Sequence, residues 1–130
     1  MRSLDTVVDL PIDRAESAVR QALATRGFGV LTEIDVTATF EAKLGVTGPP
    51  LKILGACNPE LAHRALELDP TVALVLPCNV VLRGQGARTS VSIADPRELM
   101  DDPAFAGIGA DAASRLETAL ASLEGVIERT

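Results

Sequence analysis

The chain has 130 residues, 47% hydrophobic and 23% charged, which suits a single domain, 1–130, with a real core and excludes a disordered segment. Its net charge is −6, and its ten Arg and two Lys are scattered, so neither a nucleic acid nor an anionic membrane surface is expected as partner. Phe28, Phe40 and Phe105 are the only aromatic residues, so the core must come from Leu, Val, Ile and Ala.

Leu4, Thr6, Val8 and Leu10 alternate with more polar neighbours and predict a first strand ended by Pro11. Asp13 and Glu16 resemble a capping box. Ala15, Ala18, Val19, Ala22 and Leu23 then mark one helix face, which Gly27 terminates. A second strand is expected over 28–36, followed by a short helix to Leu44 capped by Asp35 or Thr37. Residues 51–57 read as a third strand. Asn58 is a good N-cap and Pro59 a good first helical residue for a helix to Leu68. In that helix Leu61, Ala62, Ala65 and Leu66 are expected to face inward. The β-branched run Val72–Leu82 predicts a strand interrupted at Pro77, followed by a hairpin through residues 83–88 and a partner strand over 89–94. Residues 95–109 read as loop with one helical turn at 97–100. A last helix is expected from Asp111, burying Ala113, Leu116, Leu120, Leu123 and Ile127.

The order β-α-β-α-β-α-β-β-α predicts an α+β two-layer sandwich, with helices packed on a mixed, partly antiparallel sheet. The first residues lack an apolar signal region, and the longest apolar stretch is too short and broken to span a bilayer. A cytoplasmic protein with reduced thiols is the expectation.

The chain has two Cys and two Asn, and they occur as Cys57-Asn58 and Cys78-Asn79. Each pair touches a proline, in Cys57-Asn58-Pro59 and Pro77-Cys78-Asn79. Proline punctuates elements, so both thiols are expected at strand ends, where sites are usually built. If the two strands are neighbours, Cys57, Asn58, Pro59, Pro77, Cys78 and Asn79 converge on one site. Cys57 then precedes a helix N-terminus, whose dipole would lower its pKa from about 8.5. Such a pair suits a redox disulfide, a persulfide carrier or half of a soft-metal site. Asn58 and Asn79 could donate hydrogen bonds to sulfur or to a ligand carbonyl. The competing reading makes both cysteines small buried hydrophobes and Asn58-Pro59 simply a cap with a first-turn proline.

Gly55-Ala56-Cys57-Asn58-Pro59-Glu60-Leu61-Ala62, with Leu76-Pro77-Cys78-Asn79-Val80-Val81 and Asp95-Pro96, resembles the bacterial and archaeal family known as domain of unknown function 302. The resemblance runs from the first strand to the last helix. It implies a small α+β domain that pairs as a homodimer, and it assigns no reaction, substrate or cofactor. It carries over Cys57, Asn58, Pro59, Leu76, Pro77 and Cys78 as motif positions.

Other chemistry is thinly represented. His63, the only His, falls on the polar face of its helix with Glu67 one turn on. Structural zinc needs four ligands, so no metal site is expected within one chain. Asp95, Glu98, Asp101 and Asp102 match no calcium loop and read as turns. Three functions are therefore weighed. The first is a module binding a small molecule or ion at the two Cys-Asn motifs. The second is a thiol redox or sulfur-transfer protein in which Cys57 attacks and Cys78 resolves. The third is a structural or regulatory dimer with inert cysteines. The cofactor is unknown.

Overall fold

Alternating side chains build the first strand, β1 (Ser3–Val8), in which Leu4, Thr6 and Val8 turn inward. The computed structural model describes residues 1–126, so the expected burial of Ile127 lies outside the described residues. The remaining elements are α1 (Ile12–Ala24), β2 (Gly29–Asp35), α2 (Val36–Leu44), β3 (Leu51–Cys57), α3 (Pro59–Leu68), β4 (Cys78–Gln85), β5 (Arg88–Ala94), α4 (Pro96–Leu99) and α5 (Ala106–Ala121). Short 3-10 turns cover Pro70–Val75 and Pro103–Phe105.

The five strands form one sheet in the order β1-β5-β4-β3-β2. The α+β architecture, helices packed on a sheet, is as expected. Every ladder is antiparallel, where a mixed sheet was expected. The reason lies in the β3–β4 connection. Ala56 pairs with Cys78, so residues 57–78 leave and return at the same end of the sheet. A parallel neighbour would need a crossover to the opposite end.

One sheet face carries Val8, Leu54, Ala56, Val80, Leu82, Val91 and Ile93, all fully buried. On it pack α1, which touches β4 and β5, and α5, which touches β1 and α1. Leu23 and Leu116 complete this core. The fully buried Thr89 is satisfied by donating to the Leu10 carbonyl at 2.8 Å.

Several local expectations need correction. Asp13 does not cap α1; Pro11 holds that position, its carbonyl accepting from the Ala15 amide, and Asp13 sits in the first turn. The run Val72–Leu82 is not one strand. Asp69 caps the turn through the Thr71 amide, Pro70 starts it, and β4 begins only at Cys78. Local capping prevails there over β-propensity. The hairpin turn is only two residues long, with Gly86 at φ +67°. Leu66 on α3 is exposed rather than inward. Finally, α5 starts five residues before Asp111, at Ala106, continuing directly from the Pro103–Phe105 turn that Asp102 caps.

Candidate functional site

Antiparallel pairing of β3 and β4 brings Cys57 and Cys78 to the same end of the sheet. Cys57 closes β3 and Cys78 opens β4, one residue out of register. Both line one apolar pocket of about 30 Å³ at that end of the sheet. Ala56, Leu61, Ala65, Leu76, Ile108 and Ala112 supply much of its wall. The expectation that the two strands are neighbours is met.

The six residues singled out in the sequence divide into two groups. Cys57, Asn58 and Cys78 line the pocket. Asn58 is buried and caps α3, its Oδ1 accepting from the Leu61 amide at 3.1 Å. Pro59 is the exposed first residue of α3. Asn79 is exposed and pairs with Gly55 on the opposite face from Cys78. Successive strand residues point to opposite faces, so Cys78 and Asn79 cannot both face the pocket. Pro77, joined to Leu76 by a cis peptide bond, lies on Asn79's side of the sheet. A Cβ at Gly55 would lie 2.7 Å from the Pro77 ring and would also collide with Thr32 Oγ1, so this close approach requires glycine.

Both cysteines are free. Burial pushes the Cys57 thiol up from its ordinary value. Burial, and next the charge of Cys57, pushes Cys78 up to about 11. The direction is opposite to the lowering expected from the α3 N-terminus, and its cause is the loss of hydration that burial brings.

Sequence reasoning missed Met100. It follows α4, is partly buried against the core and lines the same pocket. Its place depends on α4 packing against α5, for which no short-range signal exists.

The other candidates have local explanations. His63 is 77% exposed, and its Nδ1 lies 3.1 Å from Glu67. Asp95, only 2% exposed, caps α4 and is clamped by Arg97 Nη2 at 2.8 Å. The Arg97 hydrogen bonds hold the Asp95 carboxyl below its usual range against the opposing effect of burial. Asp102 caps the turn at Ala104. Among the described residues no cluster of three or more His, Cys, Asp or Glu could hold a metal ion. No helix there is long and apolar enough to cross a membrane.

Comparison with known proteins adds kinship without chemistry. A family model described as Domain of unknown function DUF302 matches residues 4–123. The chain is similar to a solved structure described as "uncharacterized conserved protein DUF302 from Bacillus stearothermophilus", with 29% identity and a TM-score of 0.86. That match covers 95% of this chain and 99% of the other. No curated protein matches.

Proposed function

This chain belongs to the DUF302 family, and from that premise we propose that it is a binding module holding a very small ligand or ion in the pocket at Cys57, Asn58 and Cys78. One observation carries the reading: two residues with free thiols, Cys57 and Cys78, and the cap residue Asn58 line one apolar pocket at neighbouring strand ends. A volume of about 30 Å³ admits a species of one or two heavy atoms and is far below the several hundred Å³ of a metabolite site. The raised thiol pKa values favour this reading over redox or sulfur transfer, which need a ready thiolate. A cytoplasmic setting, which keeps thiols reduced, belongs to the proposal.

The test is occupancy by a neutral probe. Xenon under pressure should shift the amide resonances of Ala56, Asn58 and Ala112 and leave those of Ala38 and Glu41 unmoved. Unmoved pocket resonances, with both thiols inert until unfolding, would return the cysteines to packing alone.

We also propose that the domain pairs as a homodimer. Supporting this, β2 is an edge strand that leaves Leu31 and Ile34 exposed, and Phe40, Leu44 and Val46 follow it, also exposed. An antiparallel edge is self-complementary about a two-fold axis, which suits a second copy of this chain. Sedimentation should give a dimer for the wild type and a monomer for Ile34→Lys; a monomeric wild type contradicts it.

A further inference from the structure

Resting on the binding reading above, we propose that the pocket takes an uncharged, apolar molecule of dissolved-gas size, and that the Met100 side chain sets the upper limit on that size. Two observations carry this. The lining offers a ligand no charge, and Met100 is the one adaptable member of its mouth.

The lining decides the class of ligand. Every side chain in it is uncharged, and Asn58 alone carries a nitrogen or oxygen. That oxygen is engaged by the Leu61 amide at 3.1 Å. Among the described residues no buried side-chain nitrogen or oxygen lacks a partner. No polar group therefore awaits a ligand. An ion would lose its hydration and recover nothing in return. Burial, which pushes the Cys78 thiol up to about 11, penalises charge in the same way. A water would need several polar partners that this wall does not supply.

The mouth decides the size. Cys57, Ala62, Leu76 and Met100 are the partly exposed members of the lining. Alternation along β3 turns the Cys57 side chain to the face opposite Ala56. Ala62 is short and sits on α3. Leu76 is branched and held between the Pro70–Val75 turn, where its amide donates to the Ala73 carbonyl, and Pro77, whose ring packs on Gly55. Met100 differs from all three. Its backbone is fixed, because its amide donates to the Pro96 carbonyl at 3.0 Å and Arg97 ties α4 to Glu117 of α5 at 3.1 Å. Its side chain is long, unbranched and adaptable. The rigid wall thus defines the space, and the thioether arm closes it.

The experiment reads amide and methionine-methyl resonances of the whole reduced chain. In the wild type, pressurised xenon should shift the amides of Ala56, Asn58 and Ala112 together with the methyl of Met100. The methyl of Met1, the other methionine and fully exposed, should stay in place. Bromide, an ion close to xenon in size, should move none of these. n-Butane, too large for about 30 Å³, should leave the wild-type pocket unmoved. It should shift the three amides in Met100→Ala and spare them in the volume-conserving Met100→Leu. Leu120→Ala, which loosens α5 at a buried residue outside the lining, should also keep butane out of the pocket. The methyl resonance needs no variant, so a misfolded Met100→Ala would not blunt the test. A still Met100 methyl, butane exclusion by a folded Met100→Ala, or butane entry into the wild type, Met100→Leu or Leu120→Ala would overturn the size limit. A bromide shift of the three amides would overturn the uncharged class. In each of these cases xenon entry leaves the binding module standing. If xenon moves no pocket resonance, both fall.

Discussion

The two ends of β3 carry contrasting cavities. At its start a cleft of about 370 Å³ lies between the N-terminal turns of α1 and α2. At its end lies the pocket of about 30 Å³. By size the cleft is the better binding site. Its central polar groups, however, are engaged with one another. Lys52 Nζ reaches Glu16 at 2.7 Å and Glu33 at 2.8 Å. Arg20 bonds both carboxylates, and Asp35 caps α2 through the Ala38 amide. A ligand entering there must displace ion pairs. One entering the pocket meets the free Cys78 and aliphatic walls, with no ion pair to break. Reactive inventory and volume are thus separated along a single strand.

The largest effect should come from breaking what both cavities share. Leu54 is fully buried in β3 between Lys52 and Ala56. Leu54→Ala should cost about 2–5 kcal/mol in urea unfolding and loosen both ends together. If the pocket resonances stay unmoved, the two cavities do not share a support.

Alkaline unfolding of the metal-free protein sharpens the pocket side of the contrast. The pKa of Cys78 is raised in the folded state, so its contribution is whole below the ordinary value of 9.0 and is lost as pH rises through about 11. That loss amounts to about 2 kcal/mol. Cys78→Ala should therefore be less stable than wild type at neutral pH and close the gap by pH 11. A constant gap would show that the thiol is not buried as described.

The cleft should respond in the opposite direction of pH. Burial alone would raise the Glu16 pKa, but the hydrogen bonds and charges of Lys52 and Arg20 hold it below 4.5. Its contribution is present above 4.5 and is lost as pH falls through the folded value. Lys52→Met should cost about 1 kcal/mol at pH 7, and that cost should vanish in acid. Persistence at low pH would mean that the Lys52 stem, and not its charge, supports the cleft.

The smallest effect on stability separates binding from folding. Ala112 is buried on α5 and lines the pocket. Ala112→Val should fill the space at a stability cost of about 1 kcal/mol and abolish ligand entry without touching a thiol. Retained binding would put the ligand elsewhere.

Much of this architecture is legible in the residues themselves. Asn58 and Pro59 mark the start of α3 because a cap and a first-turn proline are local chemistry. Likewise the alternation of β5 gives its buried face directly. The paired Cys-Asn motifs pointed to the pocket but overstated it. Asn58 reaches the pocket because β3 ends at Cys57, whereas Asn79 remains in β4 and its side chain goes to the other face. Met100 was illegible because it reaches the pocket through the packing of α4 on α5, a tertiary contact that no residue spacing announces. The turn Pro70–Val75 was misread because its valines favour strands while Asp69 and Pro70 favour a turn.

The most direct test of the account is the anomalous difference density of crystals pressurised with xenon, a neutral atom that reports its own position. The account predicts one peak in the pocket lined by Cys78, Ala112 and Met100 and none among Glu16, Asp35 and Lys52. A peak in the cleft or on His63, with the pocket empty, would contradict it.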